Sequence, residues 1–354
     1  MAACTTSRSS DSPNSVTADL ILTDLRNPRG VAVDAEGGVL VAEAGLGDDA
    51  ADVTQRTGRL TRFIDRNGDG DFTDPGETER WFEHLDSYNA MNIYATGRDE
   101  VSGPSDITVH GDGRVFLSVD GGFDEFALLE INPGGSIGRN LSGRSSMTGI
   151  ALAVKKRTIL ATESTLTQLI EVSLENGERR EIAVFSPLES GQQAVPAGLA
   201  VDPRNGDALV ALFSSVAQTE DGSFIPFVVG DSKVVRVDLH TSRVVDEIRG
   251  LTTAVDVAID RFGNVFVTEM AADYAELFDR GADLGDPNAP PYPAATSGSA
   301  ERSRSISKMA ARPASFKGDS TLPPTSRWRT MAASMCLGAR VTLQDPCPDR
   351  MGQR

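Results

Sequence analysis

One phrase recurs five times in this chain, and a repeat of this kind leaves few folds open. It reads "LRNPRGVAVDAEGGVLVAEAG" from Leu25, "VSGPSDITVHGDGRVFLSVDGG" from Val101 and "VPAGLAVDPRNGDALVALF" from Val195. A fourth copy is "LTTAVDVAIDRFGNVFVTEM" from Leu251, and a weaker fifth is "MTGIALAVKKRTILATES" from Met147. In each, a turn with Pro or small residues leads into alternating apolar positions, then a turn, then a second run of Val, Leu, Phe and Ala. The turns "DAEGG", "HGDGR", "DPRNGD" and "DRFGN" carry residues suited to positive φ, so each copy spells a β-hairpin. Small and β-branched residues on both faces imply burial on both sides.

A third strand follows most hairpins, as in "GRLTRFID", "QLIEVSLENG" and "SKVVRVDLHTS", and a fourth often follows that, as in "TERWFEHL" and "VVDEIRGL". The residues aligned with Gly30 are Asp106, Gly149, Gly198 and Asp256, at spacings of 76, 43, 49 and 58. Four strands per unit at such a period is the signature of a propeller blade. The expected fold is therefore all-β, a six-bladed β-propeller of four-stranded blades. Only five blades are visible, and the pattern stops where a sixth should begin. The copy from Met147, third in chain order, departs from the others at "AVKKRTIL", which lacks the Asp/Gly turn.

The missing blade has a trace in the C-terminal stretch "DSTLPPTSRWRTMAASMCLG", residues 319–338. When each codon is rebuilt from the third base of one residue and the first two of the next, residues 319–339 permit "LDSPTNIALADDGSLYVSRG". That is the hairpin phrase with its Pro turn and its Asp-Gly. Met331 and Met335 constrain the reading because Met has a single codon. Upstream, "SISKMAARP" permits "YLEDGRP", a plausible third-strand end. The expectation is a frameshift near residues 293–300 that scrambles the last blade. The other reading is a genuine polar tail after a five-bladed ring. The domains expected are a leader at 1–17, the propeller at 18–292 and an aberrant, disordered tail at 293–354. The stretch "ADLILTDL", residues 18–25, is placed to pair with the last blade.

Charge narrows the partners. From Tyr292 onward there are ten Lys/Arg against four Asp/Glu, so the formal charge of −17 sits wholly in the body before it. A body that acidic repels nucleic acid and anionic lipid and favours cations or basic partners, so no nucleic-acid partner is expected. The only cysteines are Cys4, Cys336 and Cys347, which excludes a disulfide framework or a Cys-based metal site from the body. No stretch is long or apolar enough to span a bilayer. The start "MAACTTSRSSDSPNS" lacks the apolar core of a secretory signal, but a small-residue pair before Cys and a polar tether resembles a bacterial lipobox. On that reading Met1 stands at the lipobox Leu, a signal peptide lies upstream, and Cys4 is the lipidated residue of an extracytoplasmic protein. The alternative is a Ser-rich leader with an incidental Cys.

The chemistry-bearing residues are few. "DRNGDGDFTDPGE" places Asp65, Asn67 and Asp69 at alternate positions, with Gly70 giving the sharp turn that lets them converge with Asp71 on one hard cation. It resembles the start of an EF-hand or dockerin calcium loop, except that position twelve is Gly76, Glu77 falls one later, and no helix flanks it. The expectation is a structural calcium on a strand-to-strand connection with Asp74 or Glu77 closing the shell, against a solvated acidic turn. Glu43, Glu163 and Glu269 end the second strands of three blades. They either line one mouth of the channel as ligand-binding carboxylates or satisfy backbone groups of neighbouring loops. Asp34, Asp202 and Asp260 close first strands as turn formers. His84, His110 and His240 have no partner in a recognisable spacing, and no catalytic residue is assigned, since nucleophile-elbow and phosphate-cradling motifs are absent.

The phrases at 27–45, 103–118, 195–203, 230–238 and 254–270 resemble NHL-type six-bladed propellers, and more closely the bacterial ScyD/ScyE family. The likeness runs from about residue 18 to about 290. It implies an exported or surface propeller, some members being linked to synthesis of a sunscreen pigment, with no agreed catalytic residues to carry over. The function expected is a binding or scaffolding protein for an unknown protein or small-molecule ligand. The alternative is a metal-dependent enzyme like the lactonases and streptogramin lyases that share this ring.

Overall fold

A computed structural model describes residues 17–47, 50–89, 101–120, 127–132, 135–141, 147–153, 157–214, 217–218, 224–225, 227–269 and 339–342. Cys4 and all of the 293–354 tail except residues 339–342 lie outside them.

The described chain is built of strands, with one short 3-10 turn at Val53–Gln55. β1 is Thr17–Leu20. The first blade comprises β2 Pro28–Val33, β3 Val39–Glu43, β4 Gly58–Phe63 and β5 Thr78–Leu85, followed by a small ribbon, β6 Tyr88–Asn89 and β7 Val101–Ser102. The second blade is β8 Pro104–Val109, β9 Val115–Val119, β10 Ala127–Asn132 and β11 Ser136–Asn140. The third is β12 Met147–Ala153, β13 Thr158–Glu163, β14 Gln168–Ser173 and β15 Arg179–Val184. The fourth is β16 Ala194–Val201, β17 Ala208–Ser214, β20 Ser232–Val237 and β21 Val244–Leu251, with the ribbon β18 Ala217–Gln218 and β19 Phe224–Ile225 inserted after β17. The fifth contributes β22 Ala254–Ile259 and β23 Val265–Glu269, and β24 is Ala339–Thr342.

Four blades are antiparallel meanders in strand order, and the fifth shows its inner two strands. The first strands stand side by side in the succession β2, β8, β12, β16, β22, which makes them the inner wall of a propeller. β22 does not pack on β2 as neighbouring inner strands pack on each other, so the described strands form an arc of five blades.

The core lies between blades. Leu40, Ala42 and Leu60 of the first blade pack on Ile107, Val115 and Leu117 of the second. Phe116 and Leu128 of the second meet Met147, Ile150 and Ile159 of the third. Leu160 and Leu169 of the third meet Leu199, Val210 and Val235 of the fourth. Leu209, Ala211 and Val234 of the fourth meet Val257, Val265 and Val267 of the fifth. Burying both faces of the second, third and fourth sheets in this way removes several apolar side chains per blade from water, each worth about 1.5–3 kcal/mol.

The inner hairpins close as the turns require. Gly37, Gly113, Gly206 and Gly263 hold φ between 84° and 92° in four of them. In the third blade, whose turn lacks the motif, Ala153 still pairs with Thr158, and Arg157 takes the left-handed conformation at φ 53°. The N-terminal strand differs from its expected span. Thr17–Leu20 pairs antiparallel with Ala339–Thr342, and the chain then leaves strand geometry at Ile21. Asp24 and Asn27 at φ 62° and 49° break the extended run, and Ile21, Leu22 and Leu25 instead pack over Val31, Val41 and Phe63 of the first blade.

Candidate functional site

Every inner strand carries one extra residue against its partner, and the bulge falls at the same repeat position. The register shifts between Pro28 and Gly30, Pro104 and Ile107, Met147 and Ile150, Pro196 and Leu199, and Ala254 and Asp256. Bulges re-aim side chains and favour functional surfaces. Here they put Gly30, Asp106, Gly149, Gly198 and Asp256 in one column along the inner wall. The glycines are there for close approach: a Cβ on Gly30 would lie 2.6 Å from the Cα of Asp106, and one on Gly149 would lie 2.9 Å from the Cα of Gly198.

Asp106 is the chemical centre of this wall. Its Oδ1 accepts from the N–H of Ile107 at 2.8 Å, and its Oδ2 from the N–H of Ile150 in the next blade at 2.8 Å. The surrounding protein desolvates the carboxyl and pushes its pKa up, the two N–H bonds offset part of that, and the result is about 7. It can therefore gain or lose a proton near neutral pH. Sequence reasoning placed Asp106 and Asp256 in the repeat column without assigning them chemistry. The signal was available, since a carboxylate stands at these two positions where the other three copies have Gly.

The expected glutamates occupy one end of the second strands. Glu43 is fully buried: its carboxylate takes the N–H of Arg26 at 2.7 Å, both ends of the Arg59 guanidinium at 2.7 and 2.6 Å, and the Thr61 hydroxyl at 2.6 Å. Glu269 repeats the first of these bonds, accepting the N–H of Thr252 at 2.7 Å. Glu163, also fully buried, pairs with Arg179 and accepts from Gln168. The positions equivalent to these in the second and fourth blades are Val119 and Leu212, so the carboxylates alternate around the arc.

A second charged position lies on the third strands, near the hairpin turns. Arg62 Nε donates to Asp34 at 2.6 Å, and Arg236 Nη1 donates to Asp202 at 2.8 Å. At the same place the second and third blades have Glu130, which receives Arg114 and Arg139 at 2.7 and 2.6 Å, and Glu171, which receives Arg180 at 2.6 Å. Burial would raise the Asp202 carboxyl, but hydrogen bonds from the Arg204 side chain and backbone and from Arg236 take it down to about 2. Asp34 and Asp260 also cap their turns, accepting from Gly38 and Asn264.

The 65–77 loop is a chain of side-chain-capped turns. Asp65 accepts from the N–H groups of Gly68 and Gly70 at 2.6 and 3.0 Å, Asn67 from Asp69, Asp69 from Asp71, and Asp71 from Thr73. Asn67 also donates to Asp74 at 2.6 Å. Buried Glu77 closes the loop, taking the N–H of Arg66 at 2.9 Å and of Asp74 at 3.2 Å. Among the described residues no group of three or more His, Cys, Asp or Glu is placed to hold a metal ion. Of the histidines, His84 sits on β5 at φ 63°, His110 pairs with Asp112 at 2.7 Å, and the His240 N–H caps onto Asp238.

No protein-family model matches the chain. No curated protein matches it either. Among solved structures it is similar to a gluconolactonase, XC5397, from Xanthomonas campestris, at 17% identity and a TM-score of 0.45, covering 68% of this chain and 69% of that one. It is similar to the holo PQQ domain of a pyranose dehydrogenase from Coprinopsis cinerea at 13% identity and a TM-score of 0.46, covering 72% and 75%. A nidogen/laminin complex matches at 15% identity and a TM-score of 0.44, covering 71% and 76%. None of these likenesses assigns an activity to this chain.

Proposed function

We propose that this protein is an exported binding or scaffolding propeller of the ScyD/ScyE type that its repeat phrases resemble, presenting its loops to a protein or small-molecule ligand outside the cell. The observation that carries this reading is the commitment of the repeated glutamates. Glu43 and Glu269 accept from backbone N–H groups of the loops that lead into their own blades, and Glu163 is engaged by Arg179 and Gln168. Carboxylates held this way fix loop positions, which suits a rigid frame for variable binding loops. The test is an assay of aldonolactone hydrolysis with added divalent cations. The scaffold reading expects no turnover above the blank. Turnover lost in a folded Glu163→Gln variant would replace it with the lactonase- or lyase-like reading.

Two parts of the proposal concern attachment and order. Cys4 is the lipidation site of the exported protein, and the check is a lipid-sized mass increase on the N-terminal peptide purified from the native host. Calcium binds the 65–77 loop in a structural role. Asp65, Asn67, Asp69, Asp71, Asp74 and Glu77 supply the hard oxygen donors that calcium takes, and on this proposal the ion would draw them together from the turn-capping bonds they make without it. Added calcium should raise Tm and a chelator should lower it, with Asp69→Ala removing the response. An unchanged Tm in both would refute calcium binding.

A further inference from the structure

Asn-Gly dipeptides rearrange spontaneously, because glycine puts no side chain in the way of its own nitrogen. Once that nitrogen loses its proton it attacks the Asn Cγ, Nδ2 leaves as ammonia, and water opens the resulting succinimide to aspartate or isoaspartate. The chain has three such dipeptides, Asn67-Gly68, Asn176-Gly177 and Asn205-Gly206. All three adopt one geometry. The Gly stands at φ 78°, 73° and 84°, and the Asn Oδ1 accepts the N–H two residues on at 2.9, 3.0 and 3.0 Å. Local chemistry and conformation are therefore alike, and what separates the sites is how firmly the fold holds each Gly nitrogen.

Asn67 is held by charge. The Gly68 N–H donates to the Asp65 carboxylate at 2.6 Å, and Asn67 Nδ2 donates to Asp69 and Asp74 at 2.9 and 2.6 Å. Removing a proton beside a carboxylate is opposed by its negative charge. Asn205 is held by depth. Its turn joins β16 and β17, Asp202 and Ala208 on either side of it are fully buried, and β17 is paired along both edges. Asn205 Nδ2 also donates to Asp207 at 2.6 Å.

Asn176 lacks both holds. The Gly177 N–H donates to the neutral carbonyl of Ser173 at 2.9 Å, and Asn176 Nδ2 reaches Glu178 at 3.4 Å, the longest of these amide contacts. The strand that follows, β15, is the outermost of its sheet and is paired along one edge, and its first three residues, Arg179, Arg180 and Glu181, are exposed. The second blade reaches this turn through Arg139, which donates to the carbonyls of Leu174 and Glu175 at 2.6 and 3.1 Å from a guanidinium that is 42% exposed. A turn fastened from the rim opens at less cost than an inner hairpin.

We infer that Asn176 is a covalent modification site of the folded protein, converted through a succinimide to isoaspartate and aspartate ahead of Asn67 and Asn205. The product alters the seam between the second and third blades. It replaces the donor that faces Glu178 with a second negative charge. Isoaspartate also adds a methylene to the backbone of a turn whose carbonyls Arg139 grips and whose Gly177 lies against the Leu141 carbonyl. This inference concerns the ageing of the ring and stands whether or not the binding function holds.

The test ages the full chain at mildly alkaline pH, folded and in denaturing urea. Peptide mass mapping reads amide-to-acid conversion, and an isoaspartate methyltransferase reads the linkage. In urea the three sites should convert at comparable rates, and in the folded chain Asn176 should lead the other two by about tenfold. Equal folded rates, a faster Asn67 or Asn205, or an Asn176 left intact would overturn the proposal. So would the same lead in urea, since the fold would then not be selecting the site. Arg139→Ala should speed conversion at Asn176 several-fold and leave Asn67 and Asn205 as they were. If that variant does not fold, Arg180→Ala, which loosens the same outer strand, should act in the same direction. No acceleration in a folded variant would sink the idea that opening of this turn sets the rate.

Discussion

The first and fourth blades fasten their hairpin turns with an arginine on the third strand, whereas the second and third blades use a glutamate at the same place. Arg62 and Arg236 reach Asp34 and Asp202 in the turn. Glu130 instead draws in Arg114 from the turn and Arg139 from the fourth strand, and Glu171 draws in Arg180 from the fourth strand. The fold demands an ion pair at this point and is indifferent to its sign. What differs is where the guanidinium ends up. In the fourth blade Arg236 is 16% exposed, and in the third Arg180 is 56% exposed. At the other end of the blades Glu43 and Glu163 are fully buried, and the Arg59 that holds Glu43 is buried with it.

That depth predicts the largest effect. Glu43→Ala leaves the Arg59 guanidinium buried without its bidentate partner and the Arg26 N–H without its acceptor. Breaking a buried pair from one side costs roughly 3–5 kcal/mol. Urea or thermal unfolding should show it, and the double change Glu43→Leu with Arg59→Met should recover much of the loss. A cost under 1 kcal/mol would mean the buried end is no more important than the turns.

Arg236→Ala comes next. Asp202 is fully buried and keeps only Arg204, so the loss should be about 2 kcal/mol, the range of a charge-assisted hydrogen bond. The same pair sets an acid limit. The Asp202 pKa of about 2 lies below its unfolded value, so its contribution is complete above that unfolded value and is lost as pH falls toward 2. Arg236→Ala should flatten that acid-side slope.

The repeat made most of this architecture legible, and the exceptions have physical causes. The outer strands "TERWFEHL" and "VVDEIRGL" form over their full expected spans, Thr78–Leu85 and Val244–Leu251, each pairing along the third strand of its blade. The third hairpin survived without its Asp/Gly turn because interblade packing of Leu160 and Leu169 specifies the pairing, and Arg157 absorbs the positive φ. The clamps were hidden because their sign changes between blades, so no single residue type runs through the column. The bulges were hidden because one extra residue shifts the apolar alternation without changing composition. Glu43 and Glu269 were visible as a column, but their shared bond to a backbone N–H in the preceding loop is a property of three dimensions.

Asp106 gives a third test, with the opposite pH sign. Its folded pKa of about 7 lies above the unfolded value, so folding holds its proton more tightly and stability falls as pH rises from the unfolded pKa toward 7. Asp106→Asn cannot ionise. Relative to the native chain it should gain roughly 1 kcal/mol or more between pH 5 and pH 8, read as the change in the Tm difference. A pH-independent difference would show that the inner wall does not perturb this carboxyl. The inner wall and the turns then respond to pH in opposite directions, Asp106 near neutrality and Asp202 in acid.

The smallest expected effect decides whether the two kinds of clamp are equivalent. Arg180→Ala removes a solvent-rich guanidinium from Glu171, which keeps the Thr158 hydroxyl at 2.7 Å. An exposed pair of this sort contributes about 0–1 kcal/mol and is screened by salt. The loss should therefore be well under that of Arg236→Ala and should shrink further in 1 M salt. If the two substitutions cost the same, exposure does not grade the clamps, and the sign reversal between blades is a change of spelling with no energetic consequence. If Arg180→Ala costs less, the reversal moved the guanidinium to the rim and weakened the third blade's hold on its outer strand. Hydrogen exchange should then find Arg179–Val184 opening more readily than Val244–Leu251.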